Sequence, residues 1–149
     1  MSKKDLTARM VSDFRQLNSL LISESHPLPI IQEVLTRRQG FTYVTCLDLT
    51  SQFYHFQITD KAKQYCTITT PFGLYRYQRL PMGVKNSPSF AQAIMSKVLK
   101  SFHEVEVFID DIAIFTTQTF NLHCDTLSKV LHTIQLSGFS IKPKKCFWA

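Results

Sequence analysis

The residues best suited to chemistry are two adjacent aspartates, Asp110 and Asp111, set in the run 105–115, VEVFIDDIAIF. Carboxylates side by side repel each other, and apolar surroundings resist their ionisation, so their pKa values rise unless a cation is near. A divalent cation removes both difficulties, and Mg²⁺ prefers carboxylate oxygen ligands. Taken alone, this stretch also fits an ordinary acidic turn. A further acid, Asp48, follows the β-branched and aromatic run 41–47, FTYVTCL. An acid at the end of a buried strand is another candidate metal ligand, or else an N-cap for a turn over 50–54.

These acids need elements to hold them. Two apolar, β-branched runs around a two-residue polar break predict a β-hairpin with Asp110-Asp111 at its turn. The 41–47 run predicts a strand beside that hairpin, which would bring all three carboxylates to one sheet end. After Ser87 as N-cap and Pro88 at the first helical position, Phe90, Ala91, Ile94, Met95, Val98 and Leu99 share a face, so a helix is predicted to about Phe102. Leu127, Val130, Leu131 and Ile134 mark a second amphipathic helix closed by Gly138, with His123 and His132 at polar, surface positions. Residues 30–39 predict a helix stopped by Gly40, and 6–14 (LTARMVSDF) a strand. Short strands are expected at 56–58, 65–70, 74–79 and 139–141, with 60–64 and 71–73 as turns. Cys146-Phe147-Trp148 reads as a strand left unpaired. The order implies an α+β fold, an antiparallel sheet with helices packed on one face.

Composition narrows the class. The chain has 149 residues and 17 Lys plus Arg against 11 Asp plus Glu, a formal charge of +6. That suits one domain, or one domain and part of another, and a polyanionic partner such as nucleic acid. No run is long enough for a membrane span, and no apolar segment follows Met1-Ser2-Lys3-Lys4-Asp5 as in a signal peptide. An intracellular protein, not secreted, is expected. Cys46, Cys66, Cys124 and Cys146 form no CxxC pair, which argues against zinc and for free thiols.

Several motifs occur together and in order: Val11-Ser12-Asp13-Phe14-Arg15-Gln16-Leu17-Asn18, Leu47-Asp48-Leu49-Thr50-Ser51, Thr69-Thr70-Pro71-Phe72-Gly73-Leu74-Tyr75, Leu80-Pro81-Met82-Gly83 with Asn86-Ser87-Pro88, Phe108-Ile109-Asp110-Asp111, and Pro143-Lys144-Lys145-Cys146. In these the chain resembles the reverse transcriptase of gypsy-type LTR retroelements and, more distantly, the retroviral enzymes. The resemblance implies a right-hand polymerase, an RNA-directed DNA polymerase. Residues 1–22 and 56–86 would be partial fingers and 23–55 and 87–149 palm, with thumb, connection and RNase H not represented.

Asp48, Asp110 and Asp111 match the family's catalytic, metal-binding aspartates. The implied chemistry is nucleotidyl transfer from dNTP to a primer 3′-hydroxyl by two Mg²⁺ ions roughly 3.5–4 Å apart, with Mn²⁺ a possible substitute. The implied partners are an RNA or DNA template with its primer, and dNTP. Arg9 matches the arginine that grips the triphosphate, and Lys3 or Lys4 its lysine neighbour. Phe53 matches the aromatic residue below the incoming sugar, which favours dNTP over rNTP; Leu49 and Met82 are further substrate contacts by the same resemblance. Two departures stand out. Phe108 replaces the usual tyrosine, and Gln52-Phe53-Tyr54-His55-Phe56-Gln57 is longer than the usual Gly-Tyr-His-Gln. The alternative is a degenerate or co-opted retroelement domain that binds nucleic acid or protein without polymerising.

Overall fold

The computed structural model describes residues 11–24 and 26–149. At its centre lies a three-stranded antiparallel sheet in the order β1-β5-β4, with β1 at Tyr43–Asp48, β4 at Val105–Phe108 and β5 at Asp111–Thr116. Side chains alternate across a strand. Leu47, Ile112, Ile114 and Val107 therefore share one face, and all are buried. Helices α4 (Ser87–Val98) and α5 (Phe120–Leu136) cover that face with Ala91, Met95, Val130 and Ile134, in one core with the sheet. Each such Val, Leu, Ile or Met side chain removed from water contributes about 1.5–3 kcal/mol. This is the α+β arrangement expected, with the helical layer formed by α4 and α5.

The short helix α2 (Ile31–Arg37) meets the sheet at β4. Arg37 and Arg38 both pair with Glu106, the Arg38 contact at 2.8 Å. A β-section holds β2 (Thr67–Thr70) and β3 (Gly73–Arg76), a hairpin turned by Pro71-Phe72.

Several elements differ from the sequence reading. The strand expected over 6–14 falls partly outside the described residues; 11–14 has no regular structure and Arg15–Leu20 is a helix, α1. Phe14 is nonetheless buried, packed on Tyr77, which explains the apolar signal. The turn expected at 60–64 is helix α3 (Asp60–Tyr65), capped by the Thr59 hydroxyl accepting from the Ala62 N–H. The strand expected at 56–58 is reduced to one bridge, Gln57 to Arg79, and that at 139–141 to a bridge between Ile141 and Leu49. Phe147 is not unpaired, because it exchanges backbone hydrogen bonds of 2.8 Å with Cys46 in both directions.

Helix α4 starts one residue earlier than expected. Asn86 is the N-cap, while Ser87 is buried and its hydroxyl donates to the Pro81 carbonyl. Its innermost residues are Ala91, Gln92 and Met95, whereas Phe90 is 45% exposed. His123 is not a surface residue: it is 1% exposed, its ring nitrogens 2.8 Å and 2.9 Å from the Thr45 and Thr116 hydroxyls.

Candidate active site and family

The hairpin's last rung pairs Phe108 with Asp111, so the two-residue turn is Ile109-Asp110 and not Asp110-Asp111. Asp111 is the first residue of β5, and its cross-strand partner on β1 is Asp48. Directly opposed residues keep their Cβ atoms roughly 4.5–5.5 Å apart. Asp48 and Asp111 thus face each other, with Asp110 beside them at the same sheet end.

The backbone fixes this end closely. The Leu49 N–H donates to the Asp110 carbonyl at 3.0 Å, and the Lys142 N–H to the Asp48 carbonyl at 2.9 Å. Ile109 has φ 55°, the left-handed region, where a β-branched residue is out of place. Such a conformation costs on the order of 1–3 kcal/mol and needs outside support. Two side-chain amides supply it. The Ile109 N–H donates to Gln92 Oε1 at 2.7 Å, and Gln52 Nε2 donates to the Ile109 carbonyl at 2.9 Å.

The electrostatics match a cation site. Burial, then Asp110, then Asp48 push the Asp111 carboxyl above its ordinary value, and Lys145 partly opposes them. The Lys145 ammonium lies 3.1 Å from Asp48 Oδ2, a positive charge already drawn to the acids. Among the described residues, however, no three of His, Cys, Asp and Glu form a ready-made metal cage. That donor set fits Mg²⁺, which takes one or two carboxylates from protein and completes its octahedron with water and substrate phosphates.

A cleft of about 570 Å³ opens beside the acids, lined among others by Asp48, Asp110, Phe53, Met82, Lys142 and Lys145. Phe53 is half-buried; it lines the cleft and also packs on the core. Met82 is half-buried on the cleft wall. The Leu49 side chain is 3% exposed and belongs to the core, so its nearest link to the acids is its backbone N–H. Asn18 braces the Met82 loop: its amide donates to the Gly83 carbonyl and its Oδ1 accepts from the Lys85 N–H, both at 2.8 Å. Arg9, Lys3 and Lys4 lie outside the described residues.

Sequence reasoning missed Lys145, Gln52 and Gln92 as parts of this site. Lys145 stood in the Pro143-Lys144-Lys145-Cys146 motif with nothing to tie it to Asp48. A glutamine on the apolar face of α4 was the one available sign of Gln92, because a buried amide needs partners.

An antiparallel sheet carrying acids at one end beneath a basic-rimmed cleft defines a polymerase-like palm. The family described as reverse transcriptase (RNA-dependent DNA polymerase) matches residues 1–149, and the chain belongs to it. The retrovirus-related Pol polyprotein from transposon opus of Drosophila melanogaster is 31% identical over 139 residues, 92% of this chain and 14% of that protein. The corresponding polyprotein from transposon 297 of the same organism is 28% identical over 140 residues, 93% of this chain and 13% of that protein. The chain therefore spans a small part of the relatives it matches. The foamy viral protease-reverse transcriptase dRH in complex with double-stranded DNA superposes with a TM-score of 0.92 at 28% identity, over 99% of this chain and 26% of that one. The foamy viral enzyme in complex with RNA/DNA hybrid gives a TM-score of 0.88 at 28% identity, over 98% of this chain and 20% of that one.

Proposed function

We propose that this chain is the fingers and palm part of an RNA-directed DNA polymerase of a gypsy-type retroelement, with fingers at 1–22 and 56–86 and palm at 23–55 and 87–149. The observation that carries the reading is the direct pairing of Asp48 with Asp111 beside Asp110 at one sheet end. Asp48, Asp110 and Asp111 would hold two Mg²⁺ ions, with Mn²⁺ able to substitute. When bound, the ions lower the barrier by favouring the ionised primer hydroxyl and by balancing charge on the triphosphate.

The chain's own residues would do the rest. Lys142 and Lys145 on the cleft rim attract the phosphates. The Phe53 ring bars a ribose 2′-hydroxyl. Met82 and the backbone near Leu49 contact the incoming nucleotide, and Arg9 with Lys3 or Lys4 grips the triphosphate. Template and primer, as RNA/DNA hybrid or DNA duplex, would lie along the basic surface.

The test is primer extension on poly(rA)·oligo(dT) with Mg²⁺ or Mn²⁺. Extension that an Asp110→Asn, Asp111→Asn variant loses supports the reading. Nucleic-acid binding that is insensitive to divalent cations, with no extension even when the flanking polyprotein is supplied, would favour a degenerate or co-opted domain.

A further inference from the structure

The Asp110 turn is strained and crowded with like charge, so something must hold it in place. Ile109 sits at φ 55°, in the left-handed region, and Asp48 and Asp111 are directly opposed with Asp110 beside them. Left alone, the turn would relax Ile109 and spread the acids. Two glutamines from outside the hairpin close on this point. On α4, Gln92 accepts from the Ile109 N–H at 2.7 Å while its Nε2 donates to the Val107 carbonyl at 2.9 Å. Its amide thereby serves this edge strand as a neighbouring strand would. From the 3-10 turn after β1, Gln52 Nε2 donates to the Ile109 carbonyl at 2.9 Å. Gln92 is 3% exposed and Gln52 2%. Gln52 Oε1 is buried with no hydrogen-bond partner among the described residues. An unpaired buried acceptor is costly. Packing alone gives no reason to keep an amide there, whereas the Nε2 bond to the turn does.

We propose that Gln52 and Gln92 are positioning residues that clamp the Ile109 backbone in its left-handed conformation and so fix where Asp110 and Asp111 present their oxygens to divalent cations. The inference rests on the metal reading above. Outer groups that orient metal ligands typically change affinity by roughly 10-fold to 100-fold when removed.

The test is Mn²⁺ binding to the 149-residue chain, followed by the electron paramagnetic resonance signal of free Mn²⁺, alongside thermal melting. Gln52→Met keeps the length and burial of the side chain but removes both the donor and the orphaned acceptor. It should melt at or above the parent temperature and bind Mn²⁺ roughly 10-fold more weakly. Ile109→Gly added to Gln52→Met should recover most of that loss, since glycine adopts positive φ without support. Mn²⁺ affinity equal to the parent's in Gln52→Met would overturn the clamp. A parent whose Mn²⁺ binding survives Asp110→Asn, Asp111→Asn would overturn the metal reading and the clamp with it. Gln92→Leu should weaken Mn²⁺ binding as well, and parent-like affinity in it would count against the clamp. Should it fail to fold, Gln52→Met decides alone, with faster hydrogen exchange at the Ile109 amide as the second expected sign; unchanged exchange there would count against the clamp.

Discussion

Asp48 and Lys145 are 97 positions apart in the chain, yet the Lys145 ammonium lies 3.1 Å from the Asp48 carboxylate. The 3-10 turn Pro143–Lys145 carries the lysine there, and the backbone bond from the Lys142 N–H to the Asp48 carbonyl anchors its approach. Lys145 therefore occupies a position where a metal cation would also be attracted. The two cations compete, so Lys145→Met should tighten Mn²⁺ binding to the free chain by several-fold. The lysine side chain is half exposed, and pairs of that kind contribute about 0–1 kcal/mol, so folding stability should change little. Titrating both proteins with Mn²⁺ checks this; equal affinity would mean the ammonium does not contest the site.

Asp111 gives a pH signature of opposite sign to a salt-bridged acid. Its folded pKa is raised, first by burial and then by Asp110 and Asp48. Folding therefore favours its protonated form. Its favourable contribution is fully present below the unfolded value of about 3.9 and is lost as pH rises through the higher folded value. Asp111→Asn, which cannot ionise, should raise the melting temperature at neutral pH. The gain should shrink on acidification and vanish once the parent carboxyl is protonated in both states. A melting series against pH for the pair reads this directly.

The core under the site should respond to truncation at Met95 more than at Phe90. Met95 is fully buried beneath the sheet, and Phe90 is 45% exposed, resting edge-on against Phe56 at 5.3 Å between ring centres. Met95→Ala should cost about 2–5 kcal/mol. Phe90→Ala should lose chiefly the aromatic contact, about 0.5–1.5 kcal/mol. Urea unfolding of both variants tests the ranking, and a larger loss at Phe90 would contradict the packing of α4.

These contrasts mark what was legible in the sequence. The sheet was readable because β4, β5 and β1 are short β-branched runs, and the acids at their ends announced one cluster. The turn was misplaced by one residue because local chemistry does not favour Ile109 at positive φ. Its support comes from Gln92 and Gln52, 17 and 57 residues away, which no local pattern encodes. Helix α3 was missed because Asp60–Tyr65 is shorter than two turns, although Thr59 was a usable cap signal. The strand expected at 6–14 was misread over 11–14, where Phe14 is buried by a tertiary contact with Tyr77, not by a sheet. His123 lay four residues before Leu127 on the buried stripe, so spacing could have found it; its polarity argued the other way.

His123 should make folding sensitive to mild acid. Its burial between Thr45 and Thr116 lowers its pKa, so the unfolded chain takes up the proton more readily. The stability it supports is present above the unfolded value of about 6.5 and is lost as pH falls through that value toward the lower folded one. The parent should lose stability between neutral pH and mildly acidic pH, and His123→Gln should flatten that part of the profile. An identical slope in the variant would assign the loss to other groups.

The last expectation concerns these 149 residues tested on their own. The match covers 26% of the foamy viral chain in complex with DNA, so most of that protein has no counterpart here. Affinity for nucleic acid scales with the number of phosphates neutralised, and each lost contact also lowers the salt dependence. Phosphoryl transfer depends further on holding the primer hydroxyl in line with the phosphate, and misplacement by about 1 Å can cost roughly 100-fold. The chain should therefore bind template-primer weakly and extend it slowly, even with Asp48, Asp110 and Asp111 in place. Binding should still fall with added salt, because the net charge of +6 supplies it, though less steeply than for a protein that contacts more phosphates. Extension on poly(rA)·oligo(dT) by the parent and by an Asp110→Asn, Asp111→Asn variant, with binding measured across a salt series, separates the two limits. Fast extension by the parent that the variant loses would show that these residues position the primer unaided. Weak, salt-sensitive binding in both, no weaker in the variant, with extension only in the parent, is the result the palm geometry leads us to expect.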